Sequence, residues 1–232
     1  MSNPIGAILW KQWKDTWKNK TILIQFALFP FMTVIMENAI EIPGMPEHFF
    51  ANLFAIMYVG MAPLTCVAAV IAEEKEKNTL RVLQMCNVKA LEYLFGNAIY
   101  IIGMCMFGSL IIGVAGGYQG MELLQFMLIL LLGHGISVLL GAAVGVASKT
   151  QMMATSLTVP VMMILSFLPM LSMFNETIGK VARYVFSGQL HFMLNSIGNI
   201  QWETGNIIIL CGNIVLVLVA FLVAYKKAFV NK

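Results

Sequence analysis

Six long stretches without a charged side chain limit what this chain can fold into. They cover residues 21–36, 49–72, 93–117, 123–148, 152–174 and 206–225. Most of them contain the roughly 20 apolar residues that an α-helix needs to cross a bilayer. Charged residues make up only 11% of the chain, against about 25% in soluble domains, so a buried core alone does not explain the deficit. We therefore predict an all-α integral membrane protein with six transmembrane helices, in which residues 1–232 form a single transmembrane domain.

Lysine and arginine fall almost entirely on one side of this six-helix arrangement. Of the 14 basic residues, 12 lie in the N-terminal arm, in the loops after the second and fourth spans, or after the last span. Only Lys180 and Arg183 lie on the other side. Because cytoplasmic loops carry an excess of basic residues, the distribution predicts that both termini are cytosolic.

Residues 5–20 are predicted to form an amphipathic helix that lies on the membrane surface and contacts its lipid. At helical spacing, tryptophans and apolar residues share one arc, and lysines take the next arc. The tryptophans are Trp10, Trp13 and Trp17, and the lysines are Lys11, Lys14 and Lys18. Indole rings favour the headgroup level, where lysines meet anionic lipid. The pattern lacks the apolar core of a cleavable signal peptide, so we predict an interfacial anchor.

The longest polar stretch, residues 174–206, precedes the last predicted span and is too short for a soluble domain. An apolar stripe with helical spacing covers residues 178–186, and Lys180 and Arg183 lie off that stripe. Serine and glycine at 187–188 interrupt the pattern, and a second apolar patch follows. We therefore predict two short helices at the outer surface, on either side of this interruption.

A dense mixture of acidic and basic residues follows the second span, in a loop that we assign to residues 73–92. From residue 73 it reads Glu-Glu-Lys-Glu-Lys-Asn-Thr-Leu-Arg. Glutamate placed shortly before lysine favours a solvent-exposed helix, and Leu80 and Leu83 give that helix a small apolar face. Such a helix is suited to docking in a groove of a cytosolic partner. A solvated loop without a partner is the alternative, and the charge density favours docking.

The residues of this loop resemble a motif of the permease subunits of ABC transporters of the type-2 exporter class. That motif reads Glu-[Lys/Arg]-Glu-x-Gly-Thr-Leu-x-x-Leu and follows the second span. Residues 74–83 match it, with Asn78 in place of glycine. A Gly-Lys pair that often opens the family's third span is Gly96 followed by Asn97 here. The order of an interfacial helix, six spans and external helices before the last span is also similar.

The resemblance implies a permease subunit of an ATP-driven exporter. Residues 5–20 would be its connecting helix, and residues 73–83 the coupling helix that rests on the ATPase. The residues implied in ATPase coupling are Glu73, Glu74, Glu76, Asn78, Thr79, Leu80 and Leu83. The resemblance also implies two copies of an ABC ATPase subunit and a second permease chain, identical or paralogous, in a bacterial cell membrane.

The energy source is expected to lie outside this chain. The sequence contains no Gly-x-x-x-x-Gly-Lys-[Ser/Thr], so ATP and Mg²⁺ would bind to the partner ATPase, and no cofactor is expected in this chain. The predicted spans contain no Lys, Arg, Asp or Glu at depth, which argues against ion-coupled transport. We expect a hydrophobic or amphipathic cargo, such as an antimicrobial peptide, a drug or a lipid, in a path between two permeases.

Two other functions stay open as alternatives. A membrane-bound immunity or sensor protein would share the six spans without transporting a cargo. An intramembrane enzyme is the other alternative. The Glu-Glu pair at 73–74 begins a Glu-Glu-x-x-x-Arg protease motif, but residue 78, where that motif has arginine, is asparagine. The three histidines are isolated in the sequence and the four cysteines form no Cys-x-x-Cys pair. We therefore predict no catalytic or metal-binding residues and no nucleic-acid partner.

Overall fold

The computed structural model describes residues 4–40, 44, 46–79, 85, 88–198 and 204–230, and every regular element within these ranges is a helix. The first part of the chain forms α1 (Pro4–Lys18), α2 (Lys20–Ala39), α3 (Phe49–Glu76) and α4 (Ala90–Ala115). The second part forms α5 (Gly120–Ala147), α6 (Gln151–Ser172), α7 (Glu176–Ala182), α8 (Phe186–Leu194) and α9 (Thr204–Tyr225). A π-helical turn over Lys226–Val230 continues α9.

The prediction of an all-α membrane protein with six spans is confirmed. Helices α2 to α6 and α9 are each long and apolar enough to cross a bilayer, and each overlaps one of the six uncharged runs. The first span extends beyond its run to Lys20–Ala39, and Asn19 caps it at the N-terminus. The Asn19 side chain accepts hydrogen bonds from the backbone N–H groups of Thr21 (3.1 Å) and Ile22 (3.4 Å).

The second span, α3, is the centre of the bundle. Helices α2, α4, α5 and α6 pack around it, and it is buried along most of its length. Glycines on α5 allow the close approach of α5 to α3. A Cβ atom added at Gly141 would lie 2.4 Å from the carbonyl oxygen of Leu64, and one at Gly145 would lie 2.9 Å from Cβ of Ile71. This is the small-residue packing by which membrane helices bring their backbones together.

The peripheral helices leave large apolar side chains on the outside of the bundle. Examples are Phe31 on α2, Ile164 on α6 and Leu216 on α9, each more than half exposed. Only Val217 of α9 is buried. A surface of this kind suits lipid hydrocarbon, and helices satisfy their own backbone groups there.

The charged segment after the second span is divided differently from our prediction. We expected residues 73–83 to form one separate helix, but Glu73–Glu76 are the last turn of α3. Lys77 and Asn78 then turn the chain, and Thr79 is helical again. The division arises because Asn78 adopts a left-handed backbone conformation, with φ of 56°, which ends a helix.

Two short helices precede the last span, as predicted, but the break between them lies elsewhere. Helix α7 ends at Ala182 and α8 begins at Phe186, so Ser187 and Gly188 lie inside α8. A Cβ atom at Gly188 would lie 2.0 Å from the carbonyl oxygen of Ala182. The glycine therefore permits close contact between the two helices and does not interrupt one of them.

The connections gather at two ends of the bundle. The motif end contains α1, the end of α3 and the α5–α6 junction, that is, residues 4–19, 73–79 and 146–151. The distal end contains the beginning of α3, the α4–α5 turn and the two short helices, that is, residues 46–52, 116–122 and 173–198. The sequence-predicted coupling residues that the structure describes are all at the motif end.

Candidate functional site

The last turn of α3 is closed by an ion pair. Glu73 Oε1 lies 2.5 Å from Nζ of Lys77, four residues later in the sequence, a spacing that brings two side chains together on a helix. The Glu73 carboxylate accepts a hydrogen bond from Lys77 and raises its pKa. Lys77 is exposed at the turn, whereas Glu73 is half-buried. The cationic group of Lys77 is thus presented at the outer surface of the motif end.

Asn78 explains how this chain departs from the motif without losing its turn. The Lys77 N–H donates to the Glu73 carbonyl oxygen over 2.9 Å, and the next residue takes the left-handed conformation. Glycine adopts that conformation without steric cost, and asparagine is among the few other residues that do so routinely. Asparagine at this position therefore forms a turn that glycine would also allow.

Glu74 connects three segments of the chain. It is only 8% exposed, and its carboxylate accepts hydrogen bonds from Lys11 of α1 and from the hydroxyl of Thr79. The Thr79 hydroxyl also lies 3.0 Å from the Glu74 carbonyl oxygen. A buried carboxylate is stable only with partners of this kind. Glu74 therefore holds α1 and the residue after the turn against the end of the second span.

Lys75 connects the same turn to the fourth span. Its Nζ donates to the carbonyl oxygens of Val146, at 2.5 Å, and Ser148, at 2.6 Å. These carbonyls belong to the C-terminal end of α5, where the last helical carbonyls have no partner within the helix. A lysine at that end satisfies them and also complements the helix dipole.

Glu76 connects the turn to the fifth span. Its Oε2 accepts a hydrogen bond of 2.8 Å from the backbone N–H of Gln151, the first residue of α6. The hydroxyl of Thr150 caps the same helix by accepting from the Met153 N–H at 3.2 Å. A carboxylate at a helix N-terminus satisfies a free N–H group and favours the positive end of the dipole. Three consecutive motif residues thus bind three different helices.

A cavity of about 660 Å³ lies beside these contacts, between α1, the beginning of α2 and the end of α3. Lys11, Asp15, Glu74 and Thr79 are among its lining residues. Partial burial lowers the pKa of Lys11, and the negative charges of Asp15 and Glu73 oppose that effect. The cavity is therefore a charged recess at the motif end.

Five of the six predicted anchor residues of α1 lie on the face that points away from the bundle. Trp10, Trp13 and Trp17 are 62%, 43% and 60% exposed, while Ile8, Gln12 and Thr16 are buried on the opposite face. The rings of Trp13 and Trp17 meet edge to face with centroids 5.7 Å apart, and Lys14 Nζ lies 5.0 Å from the Trp10 ring centroid. Lys14 and Lys18 are exposed as well, whereas Lys11 turns towards Glu74. Membrane contact by this face stays a prediction.

The other predicted residues are not brought into the motif end. Lys180 and Arg183 are exposed on α7 and at its C-terminal cap, at the distal end. No ion pair in the described ranges involves either of them. Leu80 and Leu83 lie outside the residues that the structure describes, so their proposed apolar contact stays a prediction.

The part of the chain that the structure describes contains no group of three or more His, Cys, Asp or Glu side chains placed to hold a metal ion. His134 is buried within the fourth span, and its Nε2 lies 2.8 Å from the Ser109 hydroxyl of the third span. It is therefore a hydrogen-bonded packing residue between two spans. Cys66 and Cys105 are buried free thiols, and Cys211 is exposed on α9.

Sequence reasoning missed the internal partners of the motif. Lys11 was predicted to face lipid because it alternates with tryptophans in α1, yet it pairs with Glu74. Two weak signals could have pointed to it: its charge is opposite to that of Glu74, and the positive-inside pattern places both residues on the same side of the membrane. The carbonyl partners of Lys75 are backbone atoms, so no sequence pattern marks them.

Comparison with known proteins gives one result that covers nearly the whole chain. A family model described as an ABC-2 family transporter protein matches residues 8–223. The match includes most of α1, the first five spans, nearly all of the last span, and the turn at the end of α3. No curated protein matches the chain.

Proposed function

Because the chain belongs to the ABC-2 family of transporter proteins, we propose that it is the permease subunit through which a separate ATPase drives export across a membrane. Membership of the family makes it a multi-pass membrane protein of an ABC transporter. The direction of transport, the partners and the cargo belong to this proposal.

One structural observation carries the proposed coupling. Glu74, Lys75 and Glu76 are consecutive, yet they bind α1, the end of α5 and the beginning of α6 respectively. All three residues belong to the last turn of α3, which packs at the centre of the bundle. A displacement of that turn is therefore applied to four helices together, as in the rigid-body transitions of switching proteins.

Two ATPase subunits are proposed to supply this displacement. They would bind ATP and Mg²⁺ and would contact the loop that begins at the turn. Lys77 and Asn78 are both exposed at that turn, so they are the proposed contacts. Glu74 would act from inside, by transmitting the movement to α1, because its carboxylate is buried and occupied by Lys11 and Thr79.

A second permease chain, identical or paralogous, is proposed to complete the path. Six spans form one half of the path, and the cargo would cross between the two halves. A hydrophobic or amphipathic molecule is the proposed cargo class, such as an antimicrobial peptide, a drug or a lipid. ATP-driven closure of the ATPases would shift the pair from an inward-facing to an outward-facing state.

The proposed orientation places the motif end and both termini in the cytosol of a bacterial cell. The excess of lysine and arginine on that side supports it. The exposed tryptophans of α1 would then lie at the headgroup level of the inner leaflet.

Recovery of partners from the native membrane tests this proposal. The tagged chain would be extracted in mild detergent, and the proteins bound to it would be identified by mass spectrometry. We expect a P-loop ATPase in a one-to-one ratio with permease chains. Lys77→Glu combined with Asn78→Asp should reduce its recovery, whereas Lys180→Glu combined with Arg183→Glu, at the distal end, should not. A chain recovered alone or only with copies of itself would contradict the proposal and favour a sensor or immunity protein.

A further inference from the structure

A second cavity, of about 610 Å³, opens at the distal end of the bundle. It lies between the beginning of α3, the turn from α4 to α5, and the ends of α6 and α8. Polar and apolar side chains share its wall. It is on the opposite side of the bundle from the motif end, so the coupling contacts do not account for it.

The polar floor of this cavity is fixed by a chain of hydrogen bonds. The Tyr118 hydroxyl donates to Asn52 Oδ1 over 2.7 Å, and Asn52 Nδ2 donates to Asn195 Oδ1 over 3.1 Å. Asn195 Nδ2 in turn lies 3.1 Å from Nε2 of His191. Asn52 and Tyr118 are only 5% and 3% exposed. The floor is therefore preorganised, because its groups are held in place before any ligand arrives.

An aromatic pair forms one side of the cavity. His48 has a left-handed φ of 58°, and its Nδ1 donates to the carbonyl oxygen of Gly116. Its ring stacks on Tyr118 with centroids 4.1 Å apart and planes inclined by 28°. In the neutral form of His48, the bond to Gly116 leaves Nε2 as a hydrogen-bond acceptor. This side of the cavity therefore favours a ligand that donates a hydrogen bond to His48.

The charged groups that line the cavity are both carboxylates, Glu47 and Glu122. Neither forms an ion pair within the described ranges. Burial raises the pKa of Tyr118 to about 12, and the negative charges of Glu122 and Glu37 add to that effect, against the hydrogen bond to Asn52. Of the two lining carboxylates, the charge of Glu122 therefore acts on the Tyr118 hydroxyl at the floor. No lysine or arginine is among the described lining residues.

We propose that this cavity binds an amine or guanidinium group carried on an apolar body, such as the cationic side chain of an amphipathic peptide. The carboxylates of Glu47 and Glu122 would take the positive charge, and the acceptors of the floor would take its N–H groups. Met173 and Leu194, which also line the cavity, would contact the apolar body. The side of the membrane from which the ligand enters rests on the proposed function; the binding itself does not.

Calorimetric titration of the purified chain in nanodiscs tests the proposal with three probes that share a phenyl ring on a two-carbon chain. Phenethylamine is cationic at neutral pH, N-acetylphenethylamine is neutral, and phenylacetate is anionic. We expect the amine to bind at least tenfold more tightly than the other two. Glu47→Gln with Glu122→Gln should weaken the amine about tenfold, since each exposed charge contact contributes a few-fold. Glu176→Gln, an exposed glutamate of α7 outside the cavity lining, is the matched control and should leave the affinity unchanged.

Salt dependence provides a second readout that needs no variant. Binding of the amine to the unmodified chain should weaken as sodium chloride rises from 50 to 500 mM, because the contacts are exposed charges. The proposal would be overturned if the neutral or anionic probe bound as tightly as the amine, or if binding of the amine did not depend on salt. It would also be overturned if Glu176→Gln weakened the amine as much as the double variant does. The ATPase is absent from this assay, so a failure of the proposed transport function would not change its outcome. Recovery of the ATPase without amine binding would reject this inference alone.

Discussion

Lys11, in the helix before the first span, and Glu74, in the last turn of the second span, form an ion pair across 63 positions of sequence. Glu74 is nearly buried, and Lys11 is partly exposed. The pair ties a helix on the outside of the bundle to the span at its centre. The Glu74 carboxylate also accepts a hydrogen bond from the hydroxyl of Thr79, so one side chain fixes the position of α1 and of the turn that contains the proposed ATPase contacts.

Reversing the Lys11 charge should uncouple α1 from the motif end. Lys11→Glu places two carboxylates together and leaves Glu74 without its cation, which we expect to cost about 1–3 kcal/mol. The combined Lys11→Glu and Glu74→Lys variant should recover part of that loss. Thermal unfolding in detergent measures the effect, and Lys18→Ala, an exposed lysine of the same helix, is the control. If the double variant unfolds no later than Lys11→Glu alone, the pair does not act as described.

Asn78 should tolerate glycine and reject β-branched residues. Its φ of 56° costs glycine nothing, whereas valine in that conformation is strained by about 1–2 kcal/mol. We therefore expect Asn78→Gly to keep both the melting temperature and ATPase stimulation, and Asn78→Val to lower both. Equal behaviour of the two variants would show that the turn is not maintained by the left-handed residue.

The stability that residue 75 contributes should depend on the number of hydrogen bonds that its side chain donates to the end of α5. Lys75→Met keeps much of the side chain's length but loses the bonds to the carbonyls of Val146 and Ser148, at an expected cost of about 1–3 kcal/mol. Lys75→Arg keeps charged donors and should lose less. Unfolding temperatures and ATPase stimulation, measured for both variants, would follow this order. A Met variant as stable as the Arg variant would mean that these contacts add nothing.

Two glycines of the fourth span provide a matched test of helix packing. Gly141→Ala would force its Cβ against the backbone of Leu64, and α5 would have to move away from α3, which should cost about 1–3 kcal/mol. A Cβ atom added at Gly135 would meet no neighbouring atom within 4 Å. Gly135→Ala should therefore be neutral or gain up to about 1 kcal/mol from helix propensity. Comparable losses in the two variants would argue against the close approach at Gly141.

The sequence predicted the spans well because each long uncharged run has few alternatives in a bilayer. The uneven distribution of basic residues then placed the charged block and α1 at the same end, and the structure gathers them there. Lys11 was harder to interpret because helical spacing groups it with the exposed lysines of α1. Its carboxylate partner is distant in sequence, so only the packing of α1 against the bundle reveals the pair.

Two local errors have the same physical origin. The uncharged run ends at residue 72, but the helix continues to Glu76 because its last side chains find partners on neighbouring helices. Gly188 has the composition of a helix break, but its missing side chain makes room for the carbonyl of Ala182. In both places a tertiary contact outweighs the local preference, and a single sequence does not contain that contact.

ATP hydrolysis by the purified complex, reconstituted in lipid, would measure coupling through the motif end. The ATPase subunit would be assayed alone, with the unmodified chain, and with a chain that carries Glu74→Ala and Glu76→Ala. We expect the unmodified chain to stimulate hydrolysis several-fold, and the double variant to insert and bind the ATPase but to lose most of that stimulation. Unchanged stimulation by the double variant would contradict the account, because these two residues would then not transmit the movement of the ATPase to the spans.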